Sequence, residues 1–228
     1  MNRIDLAVFD MAGTTIEDSG QVPEAFTSVL GAHGIEIDAA ALSAVRGASK
    51  RDAIRHFVAA QGGTGIDART DAIFNAFREH LADLFRSGGV RPVEGASATF
   101  AWLRARGIRV ALNTGFDRTI AGLILDTVGW AGGVVDVVVC GDDVARGRPA
   151  PDLILKSMEL ARVAEPRRVA AIGDTVLDLQ AGGTAGAGLV IGVLSGAHTR
   201  AQLEQAAHTH LIASVANLPA LFSQSGSA

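Results

Sequence analysis

The strongest constraint on how this chain folds is a recurrence of short apolar runs, each bounded by turn residues and apolar on both faces. They fall at Ile4–Asp10, Ile108–Thr114, Val134–Cys140, Val169–Asp174 and Leu189–Leu194, with a weaker one at His210–Val215. Runs of this length without polar alternation suit the strands of a parallel sheet, whose two faces are both covered by helices. Between the runs the apolar residues take helical spacing, as in Ala96, Phe100 and Leu103, or Leu153, Leu155, Met158 and Leu160. Strand and helix in alternation predict a doubly wound α/β core.

Residues 17–89 break this rhythm, because they hold helical patterns and no convincing strand. The spacing predicts helices at Glu24–Ala32, Ala39–Val45, Lys50–Gln61 and Thr70–Arg86, with Gly62, Gly63 and Gly65 marking a loop between the last two. A helical insert directly after the first strand implies a separate cap over the carboxyl edge of the sheet, where ligands bind in open α/β folds. The predicted division is a core of residues 1–16 and 90–228 and a cap of residues 17–89.

Composition narrows the function classes. The chain has 228 residues, 48% of them hydrophobic, which suffices for a substantial core. A formal net charge of -4, with basic residues scattered, offers no footprint for nucleic acid, so a small-molecule substrate is expected. Asp126 and Asp136 interrupt the most apolar stretch, leaving no run of the roughly 18 residues that would span a bilayer. A lone Cys140 and no charged-then-apolar leader before Ile4 predict a cytoplasmic protein.

Chemistry-bearing residues gather at the predicted strand ends. The first strand runs into Asp10-Met11-Ala12-Gly13-Thr14-Thr15, an acid followed by a small-residue turn whose backbone N–H groups can hold phosphate oxygens. The second ends in Asn113-Thr114-Gly115, and the fourth in Gly173-Asp174-Thr175-Val176-Leu177-Asp178. Between them, Arg148 stands just before a helix whose start is set by Pro151. Carboxylates, a hydroxyl and a cation are what a phosphoryl group and a hard divalent ion require.

In these ordered motifs the chain resembles the haloacid dehalogenase superfamily, cap included. The resemblance implies that Asp10 is a nucleophile transiently phosphorylated, that Thr114 and Arg148 hold the phosphoryl group, and that Asp10, the Ala12 carbonyl and Asp174 bind Mg²⁺ with Asp178 steadying the site. The substrate is expected among Ala12, Gly13 and Thr14 of the first turn, Gly115 of the second, and Arg46 and Gly47 of the cap. Phosphatases of this superfamily usually carry a second Asp two positions after the nucleophile as general acid. Here that position is Ala12, and a missing general acid costs a phosphatase about 100- to 10,000-fold in rate.

Asp10-Met11-Ala12-Gly13-Thr14 together with Arg148, where the superfamily usually has Lys, is similar to the phosphonatase group, the phosphonoacetaldehyde hydrolases and their relatives. In that group a cap lysine forms an imine with the substrate aldehyde, so carbon can leave phosphorus without an acid on the core. The matching residue is Lys50, and related phosphonatases pair through their caps, which implies a homodimer. Of 20 basic residues only Lys50 and Lys156 are lysines, so the retained amine stands out. Ser49 with Asp52 three residues on resembles a capping box, making Lys50 the first helical residue, where the helix dipole and Arg46, Arg51 or Arg148 would depress its pKa. A cation at this turn could equally bind the remote group of a small phosphate ester, as in capped phosphatases and phosphomutases, and both roles stay open. Arg46 stands where the phosphonatases have Met, Ala53 where they have His, and Phe116 where they have Tyr.

The remaining candidates take plain readings. His33, His80, His198, His208 and His210 are expected at the surface, Cys140, Trp102 and Trp130 in packing, and His56 turned away from Lys50. Glu17 and Asp18 fall in the first core–cap linker.

Overall fold

The structure, a computed structural model, describes residues 3–225. Six strands form one parallel sheet: β1 (Leu6–Asp10), β2 (Arg109–Asn113), β3 (Val137–Val139), β4 (Val169–Gly173), β5 (Leu189–Val193) and β6 (His210–Ile212). Their order across the sheet is β3-β2-β1-β4-β5-β6. β1, β4 and β5 are buried along their whole length, as their unbroken apolar runs require. The helices are α1 (Gln21–Ala32), α2 (Ala39–Ala44), α3 (Lys50–Ala60), α4 (Ile66–Gly88), α5 (Ala96–Arg104), α6 (Arg118–Thr127), α7 (Asp152–Leu160), α8 (Val176–Thr184), α9 (Arg200–Leu203) and α10 (Leu218–Ser225). The doubly wound α/β class read from the sequence is the fold observed. Among the described residues no helix is long and apolar enough to cross a membrane.

Register decides what the carboxyl edge presents. Asp10 lies level with Asn113, and Phe9 with Ile172, so Thr114 and Asp174 each project one step beyond their strands on either side of Asp10. The chain order reverses direction at β1, and this switch point is where open α/β sheets place their ligands.

Two predicted boundaries moved for local reasons. β3 starts at Val137 rather than Val134, because Asp136 takes over the ladder. Its carboxylate accepts from the Val110 N–H at 2.8 Å while its own N–H donates to the Val110 carbonyl at 2.8 Å. α1 begins at Gln21, three residues early, with Pro23 in its first turn, where a missing N–H leaves no intrahelical bond unmade.

Between β1 and α5 the chain leaves and returns along paired backbone. Ile16 bridges Pro92 in antiparallel fashion, the Glu17 N–H donates to the Arg91 carbonyl at 2.9 Å, and the Val93 N–H to the Thr15 carbonyl at 2.8 Å. Helices α1 and α3 of the insert pack on α4, whose buried Ile73, Phe77 and Leu81 recur every four residues. Phe26 of α1 meets Phe77 at 4.6 Å between ring centroids, and Ala53, Ile54, Phe57 and Val58 supply the face of α3. Phe77→Ala should destabilise the fold by about 3–5 kcal/mol, since the site cannot collapse around a lost ring. The urea unfolding midpoint measures it, and a loss within experimental error would show that α4 is not the spine of the insert.

Candidate active site

Arg148 sits at the centre of the strand tips with its side chain almost wholly buried. Its Nη1 lies 2.7 Å from Asp10 Oδ1 and its Nε 2.8 Å from Asp178 Oδ1. Nη2 donates to the Asn113 carbonyl at 3.2 Å and to Asn113 Oδ1, and Nη1 to the Gly47 carbonyl at 3.1 Å. A planar fork of five donors is what lets one side chain serve two carboxylates and two carbonyls at once. Asp178 is placed by the first turn of α8, where the Thr175 side chain accepts from the Asp178 N–H and Asp178 Oδ2 accepts from the Thr175 N–H at 3.0 Å.

Asp174 Oδ1 accepts from the Thr14 hydroxyl at 3.1 Å and Oδ2 from the Ala197 N–H at 2.7 Å. Asp10, Asp174 and Asp178 are all buried, and one oxygen of each lies within 4.8 Å of the others. Burial pushes the Asp10 carboxyl up to about 6 against the pull of Arg148. Burial also raises Asp174 well above the usual carboxylate range, with repulsion from Asp10 and Asp178 adding to it. Three carboxylates held together out of water, with one guanidinium to share, form an oxygen-only donor set suited to a hard divalent cation.

The first turn closes on itself. The N–H groups of Thr14, Thr15 and Ile16 converge on the Met11 carbonyl, and that of Gly13 reaches the Ile16 carbonyl. The donors expected of Gly13 and Thr14 therefore serve the turn, and the Thr14 hydroxyl serves Asp174. Ala12 lines the cavity beside Asp10. Thr114, on the next strand tip, lines it too, its Oγ1 accepting from the Phe116 N–H at 3.1 Å.

The turn Arg46-Gly47-Ala48-Ser49 of the insert lies directly on these tips. Gly47 has φ 84°, and a Cβ there would stand 2.5 Å from Thr175 Oγ1. A Cβ on Gly115 would stand 2.3 Å from the Ala48 carbonyl oxygen. Only glycine allows the two segments to approach this closely. The Lys50 N–H then donates to the Gly115 carbonyl at 3.1 Å.

Ser49 caps α3 by accepting from the Asp52 N–H, and Lys50 is the first helical residue, as its spacing predicts. Its amine donates to the Ala48 carbonyl at 3.3 Å and stands 5.2 Å from the centroid of the Phe116 ring. Burial lowers it to about 8, with Arg148 acting in the same sense and Asp10 opposing. The sequence reading had the helix dipole and neighbouring arginines as the cause. Desolvation leads instead, and Arg51 faces outward to pair with Asp71 at 2.7 Å.

Asp10, Ala12, Arg46, Gly47, Lys50, Thr114, Gly115, Arg148 and Asp174 line one cavity. Asp18 belongs to it too, its Oδ2 2.9 Å from Arg46 Nη1. Sequence reasoning set Asp18 aside and missed Asn113, Thr175 and the Ser195–Ala197 turn. The one signal for that turn was a Ser-Gly-Ala run at the end of another predicted strand. His198 is buried rather than at the surface: its Nδ1 accepts from the Val176 N–H at 3.1 Å and its own N–H donates to the Asp174 carbonyl at 3.3 Å. Cys140 is buried as expected, and burial pushes its thiol up to about 12, so beside Asp142 and Asp143 it offers no thiolate ligand to a metal ion.

Carboxylates at the switch point of a parallel sheet, with a guanidinium and an amine in the same cavity, make a site suited to a small anion and a hard cation. A family model of haloacid dehalogenase-like hydrolases matches residues 4–186, and the chain belongs to that family. It is 32% identical over 206 residues to a phosphonoacetaldehyde hydrolase of Latilactobacillus sakei, covering 85% of this chain and 77% of that one. Its fold is shared with a phosphonoacetaldehyde hydrolase-like protein of Oleispira antarctica (TM-score 0.85, 22% identity, covering 98% and 92%). A β-phosphoglucomutase of Clostridium difficile has the same fold (TM-score 0.82, 16% identity, covering 97% and 96%).

Mg²⁺ should raise the thermal midpoint of the wild type, by about 2.7 kcal/mol of stability at a hundred times the dissociation constant. Asp174→Asn should remove that rise. An equal Mg²⁺-dependent rise in the variant would take Asp174 out of the ligand set.

Proposed function

We propose that the chain cleaves the carbon–phosphorus bond of a small 2-oxo-phosphonate, with residues 17–89 acting as a cap over the site. The observation that carries this reading is Lys50: a buried amine with its pKa lowered to about 8, in the same cavity as Asp10 and, among the described residues, in no ion pair with a carboxylate. An amine so placed can act as a nucleophile toward a carbonyl. The likeness to phosphonoacetaldehyde hydrolases supports the same substrate class.

In this reaction the Lys50 amine adds to the substrate carbonyl and water is lost, leaving a protonated imine. An Asp10 oxygen attacks phosphorus, and the electron pair of the breaking bond moves into the imine to give an enamine. Arg148 aims Asp10 and sets its positive charge beside the phosphoryl oxygens, one of which the Thr114 hydroxyl holds. The enamine takes a proton on carbon, one water returns the carbonyl and the free amine, and a second water hydrolyses the aspartyl phosphate. Because carbon leaves into the imine, no acid is needed at position 12, which accounts for Ala12. Mg²⁺ held by Asp10, the Ala12 carbonyl and Asp174 would supply positive charge against the phosphoryl oxygens.

A second reading is hydrolysis or transfer of a small phosphate ester with Lys50 as a phosphate contact, favoured by the fold shared with a phosphomutase. Lys50→Arg separates the two. A guanidinium cannot condense with a carbonyl, so the variant should lose carbon–phosphorus cleavage, and borohydride added with a carbonyl phosphonate should trap an adduct on wild-type Lys50 that mass spectrometry can place. A phosphate contact would keep most of kcat in Lys50→Arg and yield no adduct.

The pH profile carries opposite signs for the two roles. An imine needs the neutral amine, so kcat/KM on a 2-oxo-phosphonate should rise with pH and level off above about 8, the value to which burial lowers Lys50. A contact that needs the ammonium would instead weaken as pH passes 8. A profile falling through that region would remove the amine as nucleophile.

A further inference from the structure

The cavity holds a cation that the proposed reaction does not use. Arg46 lines it together with Asp10 and Lys50, and Arg46 and Asp18 also line a second, polar cavity running to Ser195, Gly196 and Ala197, which places the pair at the mouth. The Arg46 side chain remains 30% exposed. One guanidinium nitrogen, Nη1, meets Asp18 Oδ2 at 2.9 Å, and among the described residues the other nitrogens meet no acceptor. Asp18 is itself fixed, its Oδ1 accepting from the Gly20 N–H at 3.1 Å. The guanidinium is thus anchored by one corner with the rest of its fork open.

Phe26, Leu42 and Val45 of the same cavity are apolar and offer a polar substrate group nothing. We infer that Arg46, positioned by Asp18, binds a carboxylate on the substrate, so that the preferred substrate is a 2-oxo-phosphonate carrying an acid group on the far side of its carbonyl. This inference rests on the 2-oxo-phosphonate reading and narrows it. The phosphonate lies at Asp10 and Arg148, the carbonyl at Lys50, and the acid at Arg46, three groups in a row matched to three cationic side chains. A carboxylate fits better than a second phosphate. Its plane matches the free edge of the fork, and Asp18 cancels the charge of Arg46, leaving directed N–H donors that suit a monoanion more than a dianion. The carbon product is then a 2-oxo acid, and the bonds made and broken are those already described.

Phosphate release should be compared for 3-phosphono-2-oxopropanoate and 2-oxopropylphosphonate, two ketones that carry a carboxylate or a methyl group beside the same carbonyl. The expected wild-type result is a kcat/KM at least about tenfold higher for the acid, the scale of hydrogen bonds to a charged group. Arg46→Met should collapse that ratio, and Asp18→Asn should raise KM for the acid while leaving its kcat near wild type. A wild-type ratio of one or below overturns the inference, as does a ratio unchanged in a folded Arg46→Met. If neither phosphonate is cleaved but esters are, the carbon–phosphorus reading fails. Phosphoglycolate against ethyl phosphate then tests Arg46 by itself, and an absent preference for the acid overturns the inference there too.

Discussion

A buried guanidinium must find an acceptor for its charge, and the site is arranged around that requirement of Arg148. Asp10, Asp178 and Asn113 come from β1, α8 and β2, three elements that meet only because the sheet is doubly wound about β1. Breaking any one of these contacts leaves charge unpaired in a low-dielectric setting, so orientation of Asp10 and integrity of the strand tips are the same property. A lysine could supply the charge but not the geometry, since its ammonium lacks the fork that reaches Asp10, Asp178 and the Gly47 carbonyl together.

That last contact joins the insert to the core. The Gly47 carbonyl on Arg148, the Lys50 N–H on the Gly115 carbonyl and the close approach of Gly47 to Thr175 bring the turn of the insert onto the tips of β2 and β4. The consequence is electrostatic. The Lys50 amine is taken out of water beside Arg148, and desolvation makes it less basic than a surface lysine, so that more of it is neutral and nucleophilic at neutral pH. The same docking raises Asp10 and Asp174, so cavity burial prepares an amine, a carboxylate and a cation site in one movement of chain.

Phe116 shows how a small departure is absorbed. It sits against Phe85 of α4, 6.2 Å between centroids, and presents its ring to the Lys50 amine. Ala53 is buried in the apolar face of α3. The polar work near Lys50 falls to backbone carbonyls and to Asp10.

The strands and most helices were legible because their periods are local: unbroken apolar runs for β1, β4 and β5, four-residue recurrence for α4, and Ser49 before Lys50 for the start of α3. Asp10, Thr114 and Asp174 were legible as candidates because each stands at the end of such a run, and a strand tip in a parallel sheet has one destination, whereas Arg148 was legible as a cation just before the start of α7. What the sequence could not decide was whatever depends on segments distant in the chain. The inward use of the Gly13 and Thr14 donors, the burial of His198 behind Asp174, and the pairing of Asp18 with Arg46 across 28 positions arise from how the turns close on one another. Residue identity and local period are written along the chain, whereas burial, and with it the pKa of Lys50 and the open edge of Arg46, exists only once the insert lies on the sheet.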